Sequence, residues 1–189
     1  QNVLSEGFCS ISHRSKKYEV VHQAAVENLR TLLKIPANFH VFFLSSATEA
    51  WDRVFDNLVE QHSFHFVNGA FSKRFYETGI ELGRKSVCRE ALLGKGFDNI
   101  EQTVISANTE VICLTHNETA TGVFLPNSDI TAVRNANTDK LIVIDAVSSL
   151  PYGNINFNDV DSVLFSVQKG FGLPAGLGVW IVNDRCIAK

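Results

Sequence analysis

Apolar residues along this chain follow two spacings, one typical of helices and one typical of buried strands. Between residues 18 and 33 they recur in steps of three and four, which places them on one face of a helix. The Ile-Pro pair at 35–36 ends that helix, because the residue before a proline disfavours the helical conformation. Elsewhere, apolar runs of four to six residues show no alternation with polar residues, which indicates strands covered on both faces.

These patterns predict an alternation of helices and strands. The predicted helices lie at 18–33, 48–60, 72–83, 97–105 and 127–137. The predicted strands lie at 40–44, 63–67, 85–89, 110–116, 141–147, 162–167 and 178–182. We expect Asn127 or Ser128 to cap the last helix. Strands interleaved with helices favour right-handed crossovers, so the sequence predicts an α/β domain with three layers and a mostly parallel central sheet.

Small, polar or ionisable residues follow five of the predicted strands. These segments are 45–50, 68–72, 117–122, 145–149 and 168–172. In a parallel sheet, ligands bind beyond the carboxyl ends of the strands. We therefore expect all five segments to meet at one edge of the sheet and to form a site there.

The composition narrows the class of protein. A chain of 189 residues with 45% hydrophobic content is long enough for one sizeable domain. The net charge is −3, the basic residues are scattered, and no apolar stretch reaches the ~18–20 residues of a membrane span. Cys9, Cys88, Cys113 and Cys186 form no CxxC pair, which argues against zinc and disulfides. We therefore expect a cytoplasmic protein that binds neither nucleic acid nor membranes and holds no metal.

Two ionisable residues at the strand ends are candidates for chemistry. Asp145 ends an apolar strand, where a buried carboxylate needs either a structural partner or a ligand, and both interpretations are open. Lys169 follows another strand, and a lysine amine in a partly desolvated pocket can form a Schiff base with a carbonyl. The alternative for Lys169 is a solvated loop lysine.

Two further segments are candidates for anion binding. The backbone N–H groups at the start of the helix after 45–48 form an anion site together with the hydroxyls of Ser46 and Thr48, unless these residues only cap the helix. His13 and Arg14 could hold a carboxylate or phosphate, unless they only lead into the first helix.

Pyridoxal phosphate (PLP) requires a Schiff-base lysine, an acid facing the pyridinium nitrogen and a phosphate site. Lys169, Asp145 and the helix start at 45–48 offer one candidate for each. The glycines at 170, 172, 176 and 178 do not indicate a dinucleotide site, because Pro174 interrupts them and a strand follows. We interpret them as a turn in which the backbone passes close to a bound group.

Four segments resemble phosphoserine aminotransferases, a group of the class V aminotransferases, which are fold type I PLP enzymes. They are SHRSKKYEVVHQAAVENLRTLLKIP, NETATGV, DAVSSL and SVQKGFGLPAGLGVWIVN. The resemblance implies a PLP-binding large domain over 1–189, with 1–16 leading into it, and a homodimer. It implies amino-group transfer from glutamate to a 2-oxo acid, namely 3-phosphohydroxypyruvate, in serine biosynthesis.

The resemblance also implies roles for individual residues. Lys169 matches the lysine that carries PLP and moves the proton at the substrate Cα, and Asp145 matches the acid that keeps the pyridine nitrogen protonated. The other implied cofactor contacts are Ser46, Ala47 and Thr48 at the phosphate, Ser148 and Gln168 beside it, Thr119 near the phenolic oxygen and Phe71 stacked on the ring. His13 and Arg14 match a pair associated with the substrate's phosphate or carboxylate.

The chain also departs from the pattern of that group. Ser45 and Ser46 replace a glycine pair, and Phe71 replaces a tryptophan. DAVSSL is closer to alanine–glyoxylate and serine–pyruvate members, so an alanine– or serine–glyoxylate transaminase is the first alternative. The family's C-terminal small domain, with its arginine for the substrate carboxylate, is expected to be absent from these 189 residues. A truncated, non-catalytic binding module is therefore the second alternative.

Overall fold

The computed structural model describes residue 7 and residues 10–189, in two compact units, Gln1–Pro36 and Ala37–Lys189. The first unit contains helix α1 (Lys16–Leu33), which confirms the helix predicted at 18–33. The Ser15 hydroxyl caps it by accepting a hydrogen bond from the Tyr18 amide at 3.2 Å. Lys34 ends the helix in the left-handed conformation, with φ of 56°. Cys9 lies outside the described residues.

The second unit holds the strands and the remaining helices. The strands are β1 (Phe39–Leu44), β2 (His62–Val67), β3 (Lys85–Glu90), β4 (Val111–Thr115), β5 (Asn117–Glu118), β6 (Val123–Phe124), β7 (Leu141–Asp145), β8 (Ser162–Ser166) and β9 (Gly178–Asn183). The helices are α2 (Ala47–Leu58), α3 (Ala70–Glu81), α4 (Asn127–Ala136) and α5 (Asp184–Ile187). All seven predicted strands are confirmed, with ends that differ by at most two residues. None of the helices in the described part of the chain is long and apolar enough to cross a membrane.

Seven strands form the central sheet, in the order β1-β9-β8-β7-β4-β2-β3. β9 is antiparallel to both of its neighbours, and the other six strands run in one direction. The mostly parallel sheet is thus confirmed. The carboxyl ends of the six strands lie at one edge, where the first residue of β9, Gly178, pairs with Leu44 and Ser166.

Both faces of this sheet are buried. Val143 of β7 and Leu164 of β8 pack in one core cluster with Val54 and Phe55 of α2. The alternate residues of the same strands are equally buried; they include Ile142, Ile144, Val163 and Phe165. Because successive side chains of a strand point to opposite faces, burial of both sets requires cover on both sides. This confirms the three-layer α/β architecture.

The predicted helix at 97–105 is wrong. Only a short 3-10 helix forms there, at Ile100–Gln102. Asn99 adopts a left-handed conformation with φ of 47°. The Thr103 hydroxyl donates to the Ile100 carbonyl at 2.7 Å. Such local hydrogen bonds compete with those of an α-helix, which explains why the helix does not continue.

Two features near the carboxyl edge also differ from expectation. Neither Asn127 nor Ser128 caps α4, because the helix begins at Asn127 itself, after Pro126. The Asn127 side-chain amide instead donates to the Asn154 carbonyl at 2.6 Å. The predicted loop at 117–122 contains β5, which pairs with β6 in a small antiparallel ribbon.

Glu110 stabilises the start of β2 from the start of β4. Its carboxylate accepts hydrogen bonds from the backbone amides of Glu60, Gln61 and His62 at 2.8 to 3.0 Å. The Lys189 ammonium lies 2.9 Å from the same carboxylate. Burial opposes the charged form, but these hydrogen bonds outweigh it and lower the pKa of Glu110 to about 2.

We expect the free energy of unfolding to fall as the pH drops from 4.5, the ordinary pKa of a glutamate, to about 2. The folded-state pKa lies below the unfolded-state pKa, so the stabilisation is complete above pH 4.5 and is lost through this window. Each pKa unit corresponds to ~1.4 kcal/mol. Urea unfolding at several pH values should show this slope in the native protein and a smaller slope in Glu110→Gln. The exposed Glu60→Gln is the control, and an unchanged slope in Glu110→Gln would contradict the assignment.

Candidate active site

The carboxyl edge of the sheet contains a cavity of about 290 Å³. Its lining residues are Ser46, Ala47, Thr48, Trp51, Phe71, Thr115, Asn117, Thr119, Asp145, Val147, Ser148, Ser166, Gln168 and Lys169. They come from the carboxyl ends of the parallel strands and from the segments that follow five of them, β1, β2, β4, β7 and β8. The structure therefore brings together all nine residues that the sequence analysis assigned to a cofactor.

Asp145 is a buried acid at the end of β7, with only 4% of its surface exposed. Its Oδ2 accepts a hydrogen bond from the Trp51 indole at 2.9 Å, and its Oδ1 accepts one from the Val147 amide at 3.0 Å. Among the described residues, no basic side chain forms an ion pair with it. Burial and, to a smaller extent, the nearby Glu118 charge raise the pKa of Asp145 to about 6, against the lowering effect of these two hydrogen bonds.

The start of α2 forms one wall of the cavity. The Ser46 hydroxyl accepts a hydrogen bond from the Glu49 amide at 3.0 Å, and the Ala47 amide donates to Ser166 Oγ at 3.0 Å. The Thr48 amide makes no hydrogen bond to the described residues. A helix start with an available N–H group and adjacent hydroxyls is suited to an anion. Ser46 is therefore a helix cap and a cavity residue at once.

Two glycines fix how closely the cavity segments approach the rest of the protein. A Cβ at Gly178 would lie 2.4 Å from the carbonyl carbon and oxygen of Ser46. A Cβ at Gly170 would lie 2.5 Å from the Leu150 carbonyl oxygen. The glycine pattern predicted a close approach to a bound group, but at these two positions the close neighbour is the protein's own backbone.

Lys169 lies in the turn after β8. Its carbonyl accepts a hydrogen bond from the Gly172 amide at 3.0 Å, and the Phe171 ring stacks on Phe165 with centroids 4.9 Å apart. These contacts and the packing of Gly170 hold the turn in place. The Lys169 side chain is exposed, as the solvated-loop alternative requires, and it also lines the cavity.

Glu118 is a second buried carboxylate, and the sequence analysis missed it. It accepts hydrogen bonds from the Ser72 amide at 2.8 Å, from the Ser72 hydroxyl at 2.9 Å and from the Ala120 amide at 3.1 Å. Ser72 follows Phe71 in α3, and Ala120 follows Thr119 in the β5–β6 ribbon. Glu118 therefore joins the two segments that carry Phe71 and Thr119.

The other lining side chains differ in how much freedom they have. The Ser148 hydroxyl donates to the Asn117 carbonyl at 2.7 Å and accepts from the Asn117 side-chain amide at 3.1 Å. Thr48, Thr119 and Gln168 are exposed, and the Phe71 ring is half-exposed.

The lining residues that the sequence analysis missed are Trp51, Thr115, Asn117, Val147 and Ser166. Thr115 and Ser166 are the next-to-last residues of predicted strands, and Asn117 and Val147 fall in predicted edge segments, so position alone was their signal.

His13 and Arg14 belong to the first unit. Both side chains are exposed in the turn before α1, where the Arg14 amide donates to the Ser12 hydroxyl at 3.2 Å. Ser15 caps the helix, as the alternative interpretation expected. A role for His13 and Arg14 in substrate binding stays a prediction.

His116, which follows β4, is fully buried. Its Nδ1 lies 2.9 Å from the Ser149 hydroxyl, and its ring contacts Phe124 at a centroid distance of 4.7 Å. Burial lowers the pKa of His116 to about 4, so the ring is neutral at pH 7. It is a packed core histidine rather than a residue of the cavity.

Comparisons with known proteins identify relatives of this chain. Residues 93–189 match the family described as Aminotransferase class-V. A phosphoserine aminotransferase of Rhodococcus opacus is 27% identical over 179 residues, which are 94% of this chain and 46% of the relative. An L-aspartate–glyoxylate aminotransferase of Paracoccus denitrificans is 31% identical over 185 residues, with 90% of this chain and 46% of the relative covered.

A solved structure is similar to this chain in both sequence and fold. The crystal structure of a phosphoserine aminotransferase from Cytophaga hutchinsonii is 56% identical to this chain and superimposes with a TM-score of 0.95. The match covers 98% of this chain and 51% of the other. The chain spans about half the length of the curated relatives it matches.

Proposed function

This chain belongs to the class V aminotransferase family, and we propose that it forms the PLP-binding part of a phosphoserine aminotransferase. The observation that carries the proposal is the position of Lys169, Asp145 and the start of α2 around one cavity. The 56% identity to a phosphoserine aminotransferase of known structure supports the choice of substrate. The proposed reaction transfers the amino group of glutamate to 3-phosphohydroxypyruvate, in a cytoplasmic homodimer.

The cavity fits PLP at three points. Asp145 is a buried acid that keeps free lone pairs and lacks a basic partner among the described residues, so it suits a protonated ring nitrogen. The start of α2, with the Thr48 amide and the hydroxyls of Ser46 and Thr48, suits the phosphate. The half-exposed ring of Phe71 suits stacking on the pyridine. When bound, PLP supplies an electron sink for negative charge that develops at the substrate Cα.

We assign the remaining work to side chains of this chain. Lys169 attaches the cofactor through its amine and moves the proton at the substrate Cα. Asp145 holds the positive charge on the ring nitrogen, and its burial strengthens that attraction because the local dielectric constant is low. Gln168 would contact the phosphate with Ser148 beside it, and Thr119 would lie near the phenolic oxygen. His13 and Arg14 bind the substrate's phosphate or carboxylate.

A transaminase with glyoxylate as amino acceptor is the second candidate. The 31% identity to an L-aspartate–glyoxylate aminotransferase favours it, as does the segment DAVSSL. Both candidates use the same cavity and differ only in the substrate pair.

One experiment on the intact purified protein tests both the cofactor assignment and the choice of substrate. PLP is added, the sample is reduced with borohydride, and the modified peptide is identified by mass spectrometry. We expect the label on Lys169, and a protein without that label would contradict the cofactor assignment. Steady-state kinetics then compare phosphoserine with 2-oxoglutarate against aspartate, alanine or serine with glyoxylate. The highest kcat/KM is expected for the phosphoserine pair, and a higher value with glyoxylate would favour the second candidate.

A further inference from the structure

Trp51 contacts the cavity acid from the core of the protein. It lies in α2 with 6% of its surface exposed, and its ring stacks on Phe75 of α3 with centroids 5.3 Å apart and an angle of 13° between the planes. Its indole Nε1–H donates to Asp145 Oδ2 at 2.9 Å. A buried indole N–H needs an acceptor, and here that acceptor is the carboxylate of Asp145, which lines the cavity.

The Asp145 carboxylate is held at both of its oxygens. Oδ2 accepts from Trp51 in α2, and Oδ1 accepts from the Val147 amide in the turn after β7. Two donors from two separate elements fix the plane of the carboxylate. An ionised carboxylate has about four lone-pair sites, so about two remain for a ligand.

We infer that Trp51 is a positioning residue, whose indole N–H fixes the ionised Asp145 carboxylate in one orientation for a cationic ring N–H bound in the cavity. The identity of that ring as PLP rests on the proposed function. The hydrogen bond and its effect on Asp145 belong to the protein alone, so they can be measured without a cofactor.

Few other groups around Asp145 favour its charged form. Glu118 on β5 disfavours it through like charge, and Cys113 on β4 is a buried thiol whose own pKa is raised by burial. His116, whose amide donates to the Asp145 carbonyl, is neutral, because burial lowers its pKa to about 4. Lys169 lines the same cavity. A hydrogen bond donated to a carboxylate favours ionisation, so the loss of the Trp51 N–H raises the pKa of Asp145.

The first experiment replaces Trp51 by phenylalanine, which keeps an aromatic ring against Phe75 and removes the N–H. The Asp145 carboxyl is titrated by NMR in cofactor-free, intact protein labelled with 13C-carboxyl aspartate, and its signal is assigned by its loss in Asp145→Asn. We expect the midpoint to rise by about one pH unit or more. The matched control is Trp180→Phe, because the Trp180 indole is also buried but donates to Ser162 Oγ at 2.8 Å. An unchanged midpoint in Trp51→Phe overturns the inference.

A second measurement uses the native sequence and does not depend on the folding of a variant. The two tryptophans give two indole N–H signals in a 1H–15N spectrum. The Trp51 signal should shift with the same midpoint as Asp145 and should not titrate in Asp145→Asn, while the Trp180 signal stays constant. A Trp51 signal whose chemical shift does not change as Asp145 titrates overturns the inference.

Binding measurements separate positioning from a general structural effect. The probes are PLP and its carbocyclic analogue, in which C–H replaces the ring nitrogen. Trp51→Phe should weaken PLP binding about ten-fold more than analogue binding, because only PLP uses the Asp145 charge. Equal weakening of both probes overturns the inference. If the native protein binds neither probe, the proposed function fails, and the two NMR titrations still decide the role of Trp51.

Discussion

The Lys169→Ala variant is expected to form no borohydride-stable cofactor adduct and to lose about 10²- to 10⁴-fold in transamination rate. Among the described residues, Lys169 is the only lysine that lines the cavity, so no neighbouring amine can replace it. Its side chain is exposed and forms no ion pair with the described residues, so the fold should not change. Mass spectrometry after reduction and a coupled transaminase assay measure the two effects.

Lys95 offers a matched control for this experiment. It is also an exposed lysine next to a glycine, in the segment Gly94–Gly96, but it lies outside the cavity. Lys95→Ala should keep both the adduct and the full rate. An adduct at another lysine in Lys169→Ala, together with an undiminished rate, would show that Lys169 does not carry the chemistry.

Substitution of Asp161, the residue just before β8, is expected to reduce the stability of the fold strongly. Its carboxylate is 1% exposed, pairs with Arg134 and Arg185, and accepts hydrogen bonds from the Asn183 side-chain amide and the Ile142 amide at 2.8 Å. Removing one partner of a buried ion pair leaves the other charge uncompensated. We therefore expect Asp161→Ala to lower the free energy of unfolding by about 3–5 kcal/mol.

Urea unfolding followed by circular dichroism measures this loss. Asp184→Ala is the control, because among the described residues Asp184 forms an ion pair only with His40, at 2.8 Å, and both side chains are exposed. Exposed pairs contribute at most about 1 kcal/mol, so the control should unfold near the native midpoint. If the two variants unfold at the same urea concentration, the buried contacts of Asp161 do not stabilise the fold as expected.

The fold was predictable to the extent that apolar runs determine it. β4, β7 and β8 are strands whose residues are all buried, and only a sheet covered on both faces accommodates such runs. The prediction failed at 97–105, where an apolar spacing suited to a helix is interrupted by the left-handed Asn99. Asparagine adopts the left-handed conformation more readily than most residues, and the spacing of apolar residues carries no information about whether it does so.

The candidate site was predictable where topology alone decides position. Asp145 and Lys169 follow parallel strands, so their proximity to the start of α2 follows from the sheet. The residue types suggested an acid and a Schiff-base lysine, and the family resemblance made these roles specific. Trp51 was not predictable as a site residue, because its place on the apolar face of α2 beside Val54 and Phe55 is already explained by core packing. Its partner Asp145 is 94 residues away in sequence, and no local pattern records such a contact.

The antiparallel strand β9 separates two ends of the proposed cofactor site by a fixed distance. β9 lies between β1, whose end leads into α2, and β8, whose end leads to Lys169. Adjacent strands are about 4.8 Å apart, so backbone hydrogen bonds hold the ends of β1 and β8 about 10 Å apart. The pairing of Gly178 with Leu44 and Ser166 sets that distance, and the connecting segment 170–177 lies outside these pairs. Residues 174–176 are exposed and lie beyond the contacts of Gly170, Phe171 and Gly172, so substitutions and insertions there should leave the two ends of the proposed cofactor site in register.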